Sequence, residues 1–215
     1  MAASSAGKTY HHGDLRNALI CAAVDLATEG GPERVVLREA ARRVGVSPTA
    51  AYRHFDGRGE LLRTVKAHAR RELAASMERT AAREPGADDP ALAAERRVTA
   101  LCRGYVGFAV EKPGLYRAAF CVPRPAPASC PEPDRPAAEP EIRAFTLLRE
   151  ALEALAALGG ARPGTRPATG AAAWSAVHGL SLLLVDGPLR RLSAQGRSVA
   201  VEATLAMVVS GSGAG

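Results

Sequence analysis

An all-α fold, with an N-terminal three-helix helix-turn-helix unit and a larger helical part behind it, is predicted by three observations. Apolar residues recur at helical spacing in every long segment, and no alternating strand pattern competes. Glycine and proline punctuate these segments where helices would end. Between Leu37 and Phe55 the chain reads LREAARRVGVSPTAAYRHF. Here Leu37, Ala40, Ala41 and Val44 keep the i, i+3, i+4, i+7 spacing of one helix face until Gly45 and Val46 interrupt it. Ser47 then supplies a hydroxyl that caps free backbone N–H groups, and Pro48 a fixed φ suited to the first helical position. Two short helices joined by a tight glycine-containing turn are the pattern whose second helix enters the DNA major groove and reads base edges.

The elements follow in order. Residues 1–9 are small and polar and read as a disordered tail, with His11 and His12 either part of that tail or an arm toward a nucleic-acid backbone. Asp14 reads as the N-cap of a first helix whose apolar face is Leu15, Ala18, Leu19, Ala22 and Leu26, ended by Gly30-Gly31-Pro32. After the Leu37–Phe55 pair, Asp56-Gly57 opens a long helix with Leu61, Leu62, Val65, Ala69, Leu73 and Met77 spaced for burial, running to about Arg83. The boundary between the two parts is placed at residue 60, giving domains 1–60 and 61–215.

Beyond the polar break EPGADDP, Ala91 to Glu111 reads as a helix stopped by Lys112-Pro113-Gly114, followed by a short piece from Leu115 to Phe120. Residues 122–140 hold 7 of the chain's 15 prolines, so regular helix is excluded there, and an exposed mobile loop is expected. That loop reads as a linker or as a recognition peptide. Glu141–Leu158 is amphipathic. From about Thr169 to Val185 the chain is apolar nearly all round, and Ser198 to Val209 carries apolar residues on two sides. Helices apolar on every side must be covered on every side, and in a chain this size a helical homodimer interface covers the excess.

The 215 residues need no disulfides to hold a core, and the four cysteines show neither a CxxC pair nor metal-ligand spacing with the five histidines. They read as reduced thiols, with Cys21 and Cys102 in the core. No metal and no cofactor is expected. Nothing approaches the roughly 20 apolar residues of a membrane span, so a cytoplasmic protein with no membrane partner is expected. The net charge is +6, of which +4 lies in residues 1–80 with 13 Lys/Arg against 9 Asp/Glu, a mild preference for an anionic partner. An enzyme is disfavoured: there is no glycine-rich phosphate loop, no HExxH and no GxSxG, and Asp88-Asp89 sit in a proline-bounded loop without a convergent base.

The run from Tyr10 to about Val65 resembles the DNA-binding domain of the tetracycline-repressor (TetR) family of bacterial regulators. AARRVGVSPTAAYRHFDGRGELL matches that family's A-x-x-x-G-V-S-x-x-x-x-Y-x-H-F-x-x-K-x-x-L pattern, except that Arg58 stands where lysine is usual. Trp174, His178 and Gly179 in WSAVHG resemble the signature of the C-terminal type named for Trp, His and Gly. The resemblance implies a homodimeric, all-helical transcription regulator, usually a repressor, binding a palindromic double-stranded operator. Its C-terminal domain would both dimerise and bind an unknown small-molecule inducer.

The resemblance places Pro48, Thr49, Ala50 and Arg53 toward the major groove, and Tyr52, His54 and Arg58 toward phosphates. The chemistry agrees: Thr49 donates to or accepts from a base edge, Ala50 meets a thymine methyl and Arg53 reaches guanine bidentately. Ser47 and Thr49 also bring helix N-terminal N–H groups near the DNA, where an anion is welcome. Ala51 and Phe55 read as core, and Tyr52 as either core or a phosphate contact through its hydroxyl. Arg38 reads as a phosphate contact or a solvated arginine. Tyr105, Phe108, Tyr116, Phe120 and Trp174 read as pocket lining or core, and His178 as a hydrogen-bonded core histidine or a ligand contact. The leading function is an operator-binding repressor released by its ligand. The alternative is a DNA-binding regulator without a small-molecule inducer, gated by a protein partner.

Overall fold

The computed structural model describes residues 12–121, 142–158 and 166–213. These form nine α-helices and no strand: α1 (His12–Gly30), α2 (Leu37–Val44), α3 (Pro48–Tyr52), α4 (Arg58–Ala81), α5 (Pro90–Glu111), α6 (Pro113–Phe120), α7 (Arg143–Leu158), α8 (Arg166–Val185) and α9 (Ala194–Gly213). Single 3-10 turns lie at Pro32–Arg34 and Pro188–Arg191. The expectations for residues 1–9, His11 and the proline-rich 122–140 stretch fall outside the described residues.

Local chemistry sets the α2–α3 corner. Gly45 has φ 78° and ψ 28°, a left-handed conformation that lets its N–H close onto the Arg42 carbonyl at 3.2 Å and the Val46 N–H onto the Ala41 carbonyl at 3.0 Å. Ser47 Oγ then accepts from the Ala50 N–H at 3.2 Å, with Pro48 at the first helical position. Leu19, Ala23, Leu26, Val35, Leu37, Ala40, Ala41, Ala51, Phe55 and Leu61 are buried together, so α1, α2, α3 and the start of α4 share one core.

Several boundaries differ from the sequence reading. Helix α1 begins at His12, so Asp14 lies inside the helix and is not its N-cap. Helix α3 stops at Tyr52, with Arg53 as its C-cap, and a turn carries the chain to Phe55. Helix α5 does end at Glu111, with Lys112 as its C-cap, but α6 begins at Pro113 rather than Leu115, since a proline's missing N–H costs nothing in a first turn. Helices α8 and α9 begin at Arg166 and Ala194, a few residues earlier than expected. Cys102 is buried, but Cys21 is exposed. It shares the outward face of α1 with Asn17, Asp25 and Thr28, opposite the buried Leu19, Ala22, Ala23 and Leu26.

Helix α4 is the spine. Its buried face, Leu61, Leu62, Val65, Ala69, Leu73, Ala74 and Met77, meets α1 near its start and α5, α6 and α7 farther along. Asp89 caps α5 by accepting from the Ala91 N–H at 3.0 Å. Helices α5, α7, α8 and α9 pack into a bundle around Leu101, Tyr105, Leu148, Leu152, Val177, Leu180 and Leu205. The bundle leaves Leu182, Leu183, Val199 and Met207 exposed on α8 and α9. No helix among the described residues is long and apolar enough to cross a membrane.

Candidate nucleic-acid interface and aromatic cluster

The α3 corner divides its residues by burial. Ala51 is fully buried and Phe55 nearly so, while Ser47, Pro48, Thr49, Tyr52 and Arg53 are exposed and Ala50 and His54 are half-buried. Tyr52, at 49% exposure, is not a core residue. Ala51 in the helix and Phe55 in the turn that follows thus anchor the corner, and the side chains between and before them face outward. Phe55 is held from the far side by the Arg16 guanidinium, 4.6 Å from its ring centre. Arg16 also donates to Glu60 Oε1 at 3.1 Å, and Glu60 Oε2 accepts from the Asp56 N–H at 2.8 Å. That carboxylate therefore satisfies a backbone donor just ahead of α4 and sits at the positive end of that helix.

The arginines around the corner are of two kinds. Arg42 donates twice to Glu39, and Arg43 twice to Glu29, holding both carboxyls below their ordinary pKa. These cations are neutralised by the protein itself. Arg38 and Arg53, both exposed, have no ion pair among the described residues. Arg58 is different again. Its Nε donates to the Val35 carbonyl at 3.0 Å and its Nη2 to the Pro32 carbonyl at 2.8 Å, so it ties the start of α4 to the link between α1 and α2. Its Nη1 has no partner among the described residues. The sequence carried no signal for this clamp, because its partners lie 23 and 26 residues away.

Five of the six residues expected to line a ligand site come together. Tyr105 of α5, Tyr116 and Phe120 of α6, and Trp174 and His178 of α8 form one aromatic cluster, with ring centres 4.6–6.4 Å apart. Phe108 is not brought to it: it is buried elsewhere on α5, with Lys112 Nζ 5.9 Å from its ring centre. Phe145 of α7, which was not among the six, joins through an edge-on contact with Trp174 at 5.6 Å. Tyr105 and Tyr116 are sealed, whereas Phe120, Phe145, Trp174 and His178 are half-exposed. Surface grooves of about 420 Å³ against α4 and α7, and about 610 Å³ between α5 and α9, have other linings.

Within the cluster, the Tyr105 and Tyr116 hydroxyls lie 2.7 and 3.0 Å from His178 Nδ1, and Tyr116 also reaches the His178 carbonyl at 3.4 Å. Burial raises both phenol pKa values, Tyr116's to about 12, and lowers that of His178. All three groups are therefore neutral near pH 7. The cluster is mechanically joined to the α3 corner. Gly114 of α6 abuts α1 so closely that an added Cβ would lie 2.2 Å from the Ala27 carbonyl oxygen. Arg70 of α4 donates to the Ala119 carbonyl at 3.0 Å, and Arg117 pairs at 2.9 Å with Asp186, in the turn just after α8.

An outward-facing second helix on a sealed helix-turn-helix, carried by a separate helical bundle, defines a helix-turn-helix DNA-binding regulator. Residues 19–65 match the family described as bacterial regulatory proteins, tetR family. Residues 98–208, just over half of the chain, match the tetracyclin repressor-like C-terminal domain. The chain belongs to the TetR family of transcriptional regulators. A search of the curated proteins finds no match. Among solved structures it is similar to a protein of unknown function from Rhodococcus sp. RHA1, with 24% identity, TM-score 0.71, and 95% of this chain and 98% of that one covered. A tetR-family regulatory protein from Rhodococcus RHA1 is 19% identical with TM-score 0.57, covering 90% and 96%. A tetR-family transcriptional regulator from Streptomyces coelicolor is 19% identical with TM-score 0.59, covering 95% and 84%. At these identities the likeness is one of fold.

Proposed function

We propose that the chain acts as a homodimeric repressor that binds a palindromic operator and is released when a small molecule binds its C-terminal domain. The observation that carries the reading is the row of outward side chains on α3 above the sealed Ala51 and Phe55. Thr49, Ala50 and Arg53 read bases, Ser47 and Pro48 set the helix N-terminus against the DNA backbone, and Arg38, Tyr52, His54 and the remaining Nη1 of Arg58 fix register on phosphates. Residues up to about 60 are the reading domain and those from 61 on the regulatory domain.

Pairing of two chains through α8 and α9 is supported by the exposed Leu182, Leu183, Val199 and Met207, large apolar side chains on two adjacent helices. Ligand control is supported by the half-open aromatic cluster and by α6, which joins Tyr116 to α1 at Gly114 and to α4 at Ala119. The family to which the chain belongs consists of transcriptional regulators, and catalysis is no part of this reading.

Selecting fragments of the source genome that the protein retains, then measuring size and affinity on the best fragment, tests the proposal. A dimer on a two-fold-symmetric site is expected. A monomer in gel filtration, or retention of random DNA as strong as that of any selected fragment, would remove the two-headed reading.

A further inference from the structure

The start of α4 carries a charge conflict that one residue of α1 resolves. Gly57, just ahead of that helix, has no side chain with which to cap it, and the Asp56 N–H beside it is met instead by Glu60 Oε2 at 2.8 Å. Asp56 lies in sequence midway between His54 and Arg58, both assigned above to phosphates. The bond therefore fixes a negative charge in the stretch proposed to meet the DNA backbone, where it repels an approaching phosphate. The carboxylate of Asp56 itself is exposed, makes no ion pair among the described residues and is free to turn into solvent.

Arg16, in the second turn of α1, answers the fixed charge. Its Nη2 donates to Glu60 Oε1 at 3.1 Å, across 44 residues of sequence, and its guanidinium lies 4.6 Å from the ring centre of Phe55. Because Phe55 is sealed into the core, the ring holds that cation in one place beside Glu60. Both oxygens of the carboxylate are thus used, one on the backbone donor and one on the cation. As a device for stability the pair is poor. Its side chains keep 43% and 28% of their surface in water, and pairs so exposed contribute little to folding. Other cations do not replace it. Arg58 is committed to the Pro32 and Val35 carbonyls, Arg42 and Arg43 to Glu39 and Glu29, and exposed Arg63 makes no ion pair with Glu60.

We infer that Arg16 is a positioning residue for DNA binding that acts through Glu60: it cancels the carboxylate that caps α4, so that phosphates can close onto His54 and Arg58. This rests on the operator-binding reading above and extends the interface to a residue of α1. The Glu60 oxygen is needed for the cap, whereas its charge is not.

The test uses the full-length protein with a selected operator fragment and a mixed-sequence duplex, affinity being read by fluorescence anisotropy across a salt series. Arg16→Gln should weaken binding to both DNAs by about three- to tenfold at low salt, the effect of one uncompensated unit charge several ångströms from a phosphate. The loss should shrink as added salt screens that charge. Glu60→Gln keeps an oxygen for the Asp56 N–H and loses the charge, so it should bind at least as tightly as the unsubstituted chain. The double variant Arg16→Gln/Glu60→Gln should return to within about twofold of the unsubstituted chain, and Arg16→Lys, which keeps the charge, should recover most of the affinity. A purely structural bridge predicts the opposite order, with the double variant melting no higher and binding no better than Arg16→Gln, so thermal melts are run alongside. Undiminished binding by Arg16→Gln, no recovery in the double variant, Arg16→Lys as weak as Arg16→Gln, or Glu60→Gln weaker than the unsubstituted chain overturns the inference and leaves the operator reading in place. An unsubstituted chain that retains neither DNA overturns both.

Discussion

Gly114→Ala isolates the close approach of α6 to α1 on which the coupling proposed above depends. The added Cβ would lie 2.2 Å from the Ala27 carbonyl oxygen, 2.7 Å from that of Thr28 and 3.0 Å from the Gly31 nitrogen. Ordinary carbon–oxygen contacts are about 3.3–3.6 Å, so α6 must back away from α1 by about 1 Å. All three obstructing atoms are backbone, which cannot swing aside as a side chain would. Overpacking of this kind costs about 1–3 kcal/mol, and for a chain of this size that lowers Tm by about 2–12 °C. Gly107→Ala on α5 is the matched control. Nothing lies within 4 Å of its added Cβ, and replacing a helical glycine with alanine there should stabilise by about 0.5–1 kcal/mol. Thermal melts of both variants, with gel-shift titrations on a selected operator fragment, give the readout. Gly114→Ala should melt lower and bind the operator several-fold more weakly, because α1 supports α2 and α3. If it instead melts higher, as Gly107→Ala is expected to, the close approach of α6 to α1 is not a constraint and the coupling argument falls.

Arg53→Ala should cost about 1–3 kcal/mol on the operator and relax preference at particular base pairs while leaving binding to random DNA nearly unchanged; equal weakening on both would refute base reading. Arg58→Ala removes two hydrogen bonds to the Pro32 and Val35 carbonyls and a free Nη1. It should lower Tm through a loss of about 1–3 kcal/mol and flatten the salt dependence by roughly one phosphate; a lower Tm with an unchanged slope leaves only the clamp. Burial depresses the His178 pKa, so the unfolded chain takes up this proton first. The stabilisation is whole above the unfolded value of about 6.5 and is lost as pH falls below it. His178→Gln should therefore show a shallower fall in Tm with acid than the unsubstituted chain, and parallel curves would place the titration elsewhere.

What the sequence made legible is what short-range chemistry decides. The α2–α3 corner could be read residue by residue because its turn, cap and helix start are each set within about four positions by Gly45, Ser47 and Pro48. The buried faces of α1 and α4 were visible for the same reason, as spacing alone puts Leu19 with Ala22 and Leu26, or Leu61 with Val65. Cys21 shows the limit of composition without phase: the residue type favours burial, yet its position on α1 falls on the outward face. Lys112-Pro113-Gly114 was ambiguous in principle, since proline both ends one helix and begins the next. The clamp by Arg58, the approach of Gly114 to α1 and the entry of Phe145 into the aromatic cluster depend on packing between distant segments. Nothing local could announce them. Phe108 is the instructive miss, three residues after Tyr105 and so a helical neighbour of it, yet outside the cluster.

The geometry of α4 sets how small a motion suffices for control. At 24 residues it is about 36 Å long, with Arg58 clamped to the reading unit at one end and Ser76 donating to the Gly104 carbonyl of α5 near the other. A tilt of about 4° about the distal end moves the clamped end by about 2.5 Å. On the dimer proposed above the two heads move symmetrically, so their separation changes by about 5 Å. Half-sites one helical turn apart lie about 34–36 Å from each other, and hydrogen bonds to base edges fail within about 1 Å of misplacement. A tilt that small therefore suffices to lose specific binding. Helix α4 packs along both α5 and α6 and is tied to the elements of the aromatic cluster at several points: besides Ser76, Lys112 Nζ just ahead of α6 donates to Glu72 Oε2 at 3.3 Å, and Arg70 donates to the carbonyl of Ala119, beside Phe120. A ligand that displaces Phe120 outward must carry Ala119 with it and either drag Arg70 or break that bond. Under the ligand-gated, dimeric reading proposed above, either outcome disturbs the packing of α4 on α6, and so reaches the spacing of the heads without any contact between ligand and DNA-reading helix.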